Sequence, residues 1–187
     1  MSLIQKAIDY AAVLHGNQVR KGSNIPYISH PFGVGMILME AGCQAEWVAA
    51  GILHDTLEDT EATEEALLER FGPEVTRIVV GCTEPDKSLS WEERKQYKLD
   101  YLKKAPLDIK TVACADKLHN MGSTLAAYER EGEKVWERFN RGRKQQEWYY
   151  KAVADSLGHE GSFPLLDVLK QKIEAMFGQR ESGDRSL

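Results

Sequence analysis

The sequence has little cysteine and no long apolar run. Of its 187 residues only three are cysteine, and no two of them form a C-x-x-C pair. Cys43, Cys82 and Cys114 are therefore predicted to be buried thiols in a reducing compartment. No stretch of about 18 apolar residues is present, so we expect no membrane span. The first ten residues, MSLIQKAIDY, lack the apolar segment of a secretory signal, and we expect a cytoplasmic protein.

The sequence also lacks an excess of positive charge. Its 24 Lys and Arg residues against 29 Asp and Glu residues give a formal net charge of −5. A general nucleic-acid-binding protein would normally be basic, so we expect no nucleic-acid partner. Apolar residues make up 42% of the chain and charged residues 28%. These fractions are typical of a globular domain and exclude a wholly disordered chain.

Apolar residues recur at helical spacing almost throughout the chain, without the alternation of a strand. This periodicity predicts an all-α bundle of about eight or nine helices. We expect a single domain over residues 1–177 and a disordered tail over 178–187. The most apolar helix is predicted over 45–57, at the centre of the bundle. Another amphipathic helix, rich in aromatic residues, is predicted over 135–157, and two helices should meet at Gly72 and Pro73.

Polar residues at the end of the most apolar helix are the first sign of chemistry. The string AAGILHDTLEDT carries His54 and Asp55, and one further turn of helix would bring Glu58 and Asp59 beside them. A buried aspartate is unfavourable unless it is paired or binds a metal. Three carboxylates this close would repel one another at neutral pH, and a divalent cation neutralises them. The string therefore predicts part of a metal site.

Two further strings complete a candidate ligand set. TVACADKLHNM places Asp116 inside an apolar helix, with Asn120 four residues later on the same face, and YISHPF places His30 where a loop meets a helix. His30, His54, Asp55 and Asp116 offer two imidazoles and two carboxylates. This set suits a first-row divalent ion such as manganese, iron or zinc. Neighbouring residues such as His54 and Asp55 can reach one ion where a helix is ending.

A cationic loop precedes His30 in the chain. The string HGNQVRKGSNIPY carries Arg20 and Lys21 at the start of a loop rich in Gly, Asn and Pro. Cations beside a metal site favour an anionic substrate, and above all a phosphate. The sequence thus predicts a metal site next to a phosphate-binding loop.

Several other polar or glycine positions predict no role in the site. His15 is expected to be a helix cap or a surface residue, and Lys117 and His119 are expected to be solvated. Gly33 and Gly35 form a G-V-G string, but it lacks the preceding strand and the full spacing of a dinucleotide-binding loop.

At these strings the chain resembles the HD superfamily of metal-dependent phosphohydrolases, whose pattern is H…HD…D. The resemblance is closer to one branch, the (p)ppGpp hydrolase domain of RelA/SpoT proteins and their small alarmone hydrolase relatives. It is carried by HGNQVRKGSNIPYISHP, AAGILHDTLEDT, FGPEVTRIVVGCT and ADKLHNM, in family order and spacing. It covers about residues 3–128, and the remainder matches only as helices of the right kind. It implies an HD-domain helical bundle.

The resemblance also implies a role for each matching residue. One Mn²⁺ would be held by His30, His54, Asp55 and Asp116. Glu58 and Asp59 match the catalytic pair of the family. Arg20 and Lys21 match positions that contact the nucleotide, and Asn120 matches one that contacts the ribose region.

The reaction implied is hydrolysis of the 3′-pyrophosphate of ppGpp or pppGpp, giving GDP or GTP and pyrophosphate. We expect a hydrolase only, with a small-molecule nucleotide as its partner and no membrane or synthetase domain. Gly122 and Ser123 stand where the family usually has Arg and Thr, which leaves the choice between guanine and adenine open. Two alternatives remain: another HD-type nucleotide phosphohydrolase, and a nucleotide-binding sensor without catalysis.

Overall fold

The architecture is helical throughout the described chain. A computed structural model describes residues 1–84 and 88–178, which form nine α-helices and one 3-10 helix. The α-helices are α1 (Leu3–Leu14), α2 (Ser29–Glu40), α3 (Ala45–Leu53), α4 (Thr56–Asp59), α5 (Glu64–Cys82), α6 (Trp91–Lys104), α7 (Leu107–Glu131), α8 (Gly142–Leu157) and α9 (Pro164–Phe177). The 3-10 helix, Gly132–Arg138, lies between α7 and α8. Within the described ranges, β-pairing is limited to one isolated bridge between Val19 and Pro26. The all-α prediction is confirmed.

Two predicted helices are shorter than expected. The helix predicted over 45–57 ends at Leu53, and the short α4 follows it. The Thr56 hydroxyl donates to the Leu53 carbonyl at 2.7 Å, so a side-chain hydroxyl replaces a backbone N–H as the donor to this carbonyl at the end of α3. The helix predicted over 135–157 is divided into the 3-10 helix and α8, because Gly142 adopts a positive φ of 66°. The predicted break before Pro73 is confirmed, since Gly72 has a φ of 81° inside α5.

Helices α3 and α7 form the centre of the bundle. α3 contacts α1, α2, α5 and α7, and α7 also contacts α8 and α9. The residues Val48–Leu53 of α3 are all buried, which explains the apolar composition of this helix. The predicted central position of this segment is confirmed. Polar groups at the end of α3 or within α7 consequently lie inside the protein and need partners there.

Glycines allow α2 to lie very close to α3. A Cβ atom built on Gly35 would lie 2.5 Å from Cγ1 of Ile52, and one built on Gly51 would lie 2.3 Å from Cδ1 of Leu38. These distances are far below van der Waals contact, so neither position accepts a larger residue without movement of its neighbours. Gly35 of the G-V-G string therefore serves helix packing. The close approach sets the distance between the start of α2 and the end of α3.

Other expectations concern the cysteines, the tail and membrane helices. Cys114 is buried, whereas Cys43 and Cys82 are partly buried, and all three are free thiols. Apart from Gly178, the tail predicted over 178–187 lies outside the described residues, and the domain boundary at 177 stays a prediction. Among the described helices, none is both long and apolar enough to cross a membrane.

Candidate active site

Three helices bring two histidines and an aspartate together. His30 lies in the first turn of α2, His54 directly follows α3, and Asp116 lies in the middle of α7. One ligand atom from each residue lies within 4.8 Å of the other two. His30 Nε2 is 3.2 Å from Asp116 Oδ1, and His54 Nε2 is 3.8 Å from the same oxygen. The three side chains thus converge on one point, as the sequence predicted.

The fourth predicted ligand, Asp55, lies beside both histidines. Its Oδ2 atom is 3.1 Å from His54 Nε2 and 3.6 Å from His30 Nε2. The same oxygen accepts a hydrogen bond from the Tyr27 hydroxyl. Burial and the Asp55 carboxylate both raise the pKa of Tyr27, so this phenol remains a proton donor at neutral pH. Tyr27 therefore fixes the orientation of Asp55. The sequence did not predict a role for Tyr27.

Hydrogen bonds at the outer nitrogens of the two histidines leave their inner nitrogens facing the carboxylates. His54 Nδ1 is 2.8 Å from the Gly51 carbonyl, which can only accept, so Nδ1 carries the proton. The inner nitrogen, His54 Nε2, is buried and makes no hydrogen bond within the described part of the chain. A buried nitrogen beside two carboxylates, with its other ring nitrogen held by a carbonyl, is the arrangement of a metal ligand, which binds an ion by giving up the proton on that nitrogen. This donor set fits one divalent metal ion.

The charges of the cluster are strongly coupled. Burial lowers the pKa of His54, but the Asp55 carboxylate outweighs burial and raises that pKa to about 9. Burial raises the pKa of Asp116, yet the Lys117 ammonium and His30 lower it well below its usual range. Both aspartates are therefore ionised at neutral pH, since His54 likewise lowers the pKa of Asp55. Two buried carboxylates that remain charged attract a cation.

Glu58 and Asp59, the predicted catalytic pair, differ in their exposure. Both lie on α4, where Glu58 lines a small cavity of about 190 Å³ together with the two histidines and Asp116. Asp59 is exposed at the edge of the site, and its backbone carbonyl accepts a 2.7 Å hydrogen bond from Gln18. Burial, and then the nearby Glu84 carboxylate, raise the pKa of Glu58. Glu58 is thus the one of the pair that faces the cluster.

A larger cavity of about 680 Å³ adjoins the small one. The two cavities share Tyr27, Lys95, Lys117, Asn120 and Tyr149 in their walls. Among the described residues that line the larger cavity, six are cationic and none is Asp or Glu: Arg20, Lys21, Lys95, Lys117, Arg130 and Arg138. Aromatic rings line it as well, among them Trp91, Phe139, Tyr149 and Tyr150. We call it the basic cavity, and it has the chemistry to hold an anionic ligand with a flat ring.

Hydrogen bonds connect the basic cavity to the histidine–aspartate cluster. Arg20 Nη2 donates to Asn120 Oδ1 at 3.1 Å, and Asn120 Nδ2 donates to Asp116 Oδ1 at 2.6 Å. Lys21 lies farther out, where its ammonium donates to Asn140 Oδ1 at 3.2 Å. All three predicted substrate-binding residues therefore line the basic cavity. Asn120 belongs equally to the cluster, because it holds Asp116.

Three residues expected to lie outside the site are buried or contact it. Lys117 donates to Asp116 Oδ2 at 2.8 Å, and His119 Nδ1 lies 2.9 Å from His30 Nδ1, although both were expected to be solvated. Burial, then His30 and Arg20, lower the pKa of His119 to about 4, so its ring is neutral. His15 caps α1 as predicted but is buried, with Nδ1 2.8 Å from Gln18 Oε1. Their positions in ADKLHNM, one and three residues after Asp116, could have indicated that Lys117 and His119 lie close to the site.

The unusual Gly122 faces a different cavity. This space of about 700 Å³ lies between α2, α7 and α9, and its walls include Ile37, Leu118, Gly122 and Leu165. A Cβ atom built on Gly122 would meet nothing within 4 Å. Ser123 lines both this space and the basic cavity. Gly122 is therefore not part of the described lining of the basic cavity. The side chain that the family usually has at this position is missing from a site next to that cavity.

With the geometry established, comparison with known proteins identifies the family. A family model described as HD domain matches residues 7–146. The chain belongs to the HD-domain family. The resemblance found from the H…HD…D strings is confirmed, and so is the presence in this HD domain of a site that fits a divalent metal.

The chain is also similar to named proteins and to a solved structure. The chain is 40% identical over 123 residues to guanosine-3′,5′-bis(diphosphate) 3′-pyrophosphohydrolase MESH1 of Danio rerio, covering 64% of this chain and 68% of that protein. It is 40% identical over 129 residues to a GTP pyrophosphokinase of Myxococcus xanthus, covering 65% of this chain but 17% of that longer protein. A solved structure of a metazoan SpoT orthologue that hydrolyses ppGpp matches with a TM-score of 0.78 and 29% identity, over 95% of this chain and 97% of that one.

Proposed function

We propose that this HD domain is a metal-dependent 3′-pyrophosphohydrolase of ppGpp and pppGpp, giving GDP or GTP and pyrophosphate. The observation that carries the proposal is the direct connection between the histidine–aspartate cluster and the basic cavity through Asn120 and Lys117. The named activities of the zebrafish and metazoan relatives support the same reaction. A nucleotide with phosphate groups at both its 3′ and 5′ positions matches a cavity that has cations along its length.

The metal site we propose consists of His30, His54, Asp55 and Asp116, and Mn²⁺ is the ion we expect. These four residues would hold the ion, which would supply Lewis-acid activation of water and offset the charge that develops on phosphoryl oxygens. The two imidazoles would be neutral once they bind the ion, and the two carboxylates would then balance its double positive charge. Tyr27 and Asn120 orient the carboxylates of Asp55 and Asp116 by hydrogen bonds.

Glu58 is proposed as the group that moves the proton. The water oxygen forms a bond to the phosphorus that carries the 3′ oxygen, and the P–O3′ bond breaks. The water proton passes to Glu58, and Glu58 returns it to the 3′ oxygen of the nucleotide as the P–O3′ bond breaks and pyrophosphate is released. A raised pKa suits Glu58 for this transfer, because a catalytic base works best when its pKa lies near the pH at which the enzyme operates. Asp59, on the exposed side of α4, is proposed to assist at the edge of the site.

The basic cavity is proposed to hold the nucleotide. Lys95 and Lys117 lie in the wall that both cavities share and would contact the 3′-pyrophosphate. Arg20 and Lys21 would contact the base and the rest of the nucleotide, with Asn120 near the ribose. Lys117 also pairs with Asp116, which keeps its charge beside the reacting phosphate.

The test is product analysis by anion exchange with purified protein, Mn²⁺ and ppGpp, in H₂¹⁸O. We expect GDP and pyrophosphate, with ¹⁸O in the pyrophosphate, and no reaction with EDTA. Glu58→Gln is the matched variant, and we expect it to bind Mn²⁺ with unchanged affinity and to lose turnover. Inorganic phosphate as the product would instead establish another nucleotide phosphohydrolase. A protein that holds Mn²⁺ and binds ppGpp without turnover would be the sensor. An active Glu58→Gln protein would contradict the role of Glu58.

A further inference from the structure

The two histidines of the cluster are oriented by different kinds of partner. His54 Nδ1 donates to a backbone carbonyl, an acceptor whose role cannot change. His30 Nδ1 instead faces another imidazole nitrogen, Nδ1 of His119, at 2.9 Å. Either of these two nitrogens can carry the single proton between them. The hydrogen bond alone therefore does not decide the tautomer of His30.

The tautomer of His30 decides whether it can bind a metal. If His119 donated, a neutral His30 would carry its own proton on Nε2, directed at Asp116 Oδ1 3.2 Å away, and that nitrogen would have no lone pair for an ion. If His30 donates, its Nε2 lone pair faces the carboxylates. His119 must then be neutral and carry its proton on Nε2.

Helix α2 is shaped to admit the His119 ring. Gly33 lies three residues after His30, on the same side of α2. A Cβ atom built on Gly33 would lie 2.2 Å from both Cδ2 and Nε2 of His119. The space is closed to any other residue unless the ring moves. Gly33 therefore packs against one side of the His119 ring, and His30 contacts its Nδ1 atom.

We propose that His119 is a positioning residue for the metal site, accepting the Nδ1 proton of His30 and so keeping the Nε2 lone pair of His30 directed at the ion. The inference rests on the proposed metal site but not on the identity of the nucleotide. Removing the hydrogen-bond partner at the outer nitrogen of a ligating histidine typically lowers metal affinity or activity by about 10–100-fold. Here the partner is 89 positions away in the chain and belongs to a different helix.

The test compares two variants of similar shape by Mn²⁺ titration calorimetry without nucleotide. Asn places an oxygen near the position of the lost Nδ1, whereas Leu places a methyl group there. We expect His119→Leu to raise the Kd for Mn²⁺ by about 10–100-fold, and His119→Asn to keep most of the wild-type affinity. His159→Leu, at an exposed histidine, controls for nonspecific metal binding. Unchanged affinity in His119→Leu, or equal losses in Leu and Asn, would overturn the proposal.

A double-mutant cycle separates the role of the ring from that of Gly33. We expect Gly33→Ala to weaken Mn²⁺ binding in the wild type but not in the His119→Ala background, where the space is open. Additive losses would show that Gly33 acts independently of His119. Nitrogen NMR of the Zn²⁺ form should find the His30 proton on Nδ1, and a proton on His119 Nδ1 would contradict the assignment. Lack of turnover on ppGpp by a protein with these metal affinities would reject the proposed substrate and leave this inference standing.

Discussion

At the scale of single residues, Asp116 has more demands on its two oxygens than any other group described in the site. Oδ1 accepts from Asn120 and faces both histidines, and Oδ2 accepts from Lys117. Its burial would favour the protonated acid, but the surrounding donors reverse this preference. The carboxylate is therefore charged and held in one orientation before any ion arrives. Such a group binds a cation with little reorganisation.

The pH dependence of turnover should report the environment of Glu58. If Glu58 accepts a proton, kcat rises with pH through the pKa of Glu58, which lies above that of an ordinary glutamate. Glu84→Gln removes a negative charge that raises this pKa, so the acidic limb of the kcat profile should move to lower pH. The measurement is kcat against pH at saturating Mn²⁺ and ppGpp.

The control for this experiment is Glu69→Gln, at an exposed glutamate on α5, which should leave the limb in place. Loss of Glu84 also frees Lys95 and Arg94 from their ion pairs with its carboxylate. Both cations would stabilise the charged form of Glu58, so they act in the same direction. A limb that moves to higher pH, or does not move, would argue against Glu58 as the titrating base.

At the scale of helices, the site depends on how closely α2 approaches its neighbours. His30 is at the start of α2, while its partners are on α3 and α7. Gly35 and Gly51 remove the side chains that would hold α2 and α3 apart. The distance between the two ligating histidines is therefore a consequence of helix packing at positions with no chemistry of their own.

Two glycine-to-alanine substitutions should have opposite effects on stability. Gly51→Ala places a Cβ atom 2.3 Å from Cδ1 of the fully buried Leu38, and the expected loss in free energy of unfolding is about 1–2 kcal/mol after the gain in helix propensity. Gly122→Ala meets no atom within 4 Å inside α7 and should gain about 0.5–1 kcal/mol. Urea unfolding of the metal-free proteins measures both. A stabilising Gly51→Ala would show that the two helices can separate without cost.

At the scale of the whole molecule, negative net charge and a basic cavity coexist. The chain carries a formal charge of −5, yet the described lining of its larger cavity has six cationic residues and no acidic one. The excess of acidic residues therefore lies elsewhere. Net charge excluded a general nucleic-acid binder without describing the field inside the cavity, which attracts phosphate.

Metal removal should lower the stability of the entire domain. Because the proposed ligands come from α2, α7 and the segment after α3, an ion that binds only the folded state stabilises the whole bundle. At a Mn²⁺ concentration of 100 times Kd the gain is about 2.7 kcal/mol, or about 5–10 °C in Tm for a domain of this size. Thermal unfolding with Mn²⁺ and with EDTA measures the difference.

The variant that should abolish this shift is Asp116→Asn, which keeps the shape of the side chain and removes its charge. We expect Asp55→Ala also to lose metal and activity. His159→Leu, remote from the proposed ligand set in the chain and exposed, should keep the full shift in Tm. An Asp116→Asn protein with an undiminished shift would place the ion elsewhere.

The sequence by itself determined the helical class, the central position of α3 and the polar positions His54, at the end of that helix, and Asp116, within an apolar helix. Each of these depends on local periodicity or on a polar residue that interrupts an apolar face, and both signals are visible in a short window. The same local logic misplaced the end of α3, because a threonine side chain takes a helix carbonyl there. Local pattern also predicted solvent exposure for Lys117 and His119, and a cap or surface position for His15, whereas Lys117 and His119 contact the site and His15 is buried.

Only the tertiary structure decided which side chains support the cluster. The contacts Tyr27–Asp55, His30–His119 and Arg20–Asn120 join residues 28, 89 and 100 positions apart. No periodicity within one helix predicts such pairs, since they depend on how closely α2 and the loop before it approach α3 and α7. That approach is set by glycines whose importance lies in what an added Cβ atom would touch. Local pattern thus specifies which residues must be buried together, and packing distance specifies which atoms meet.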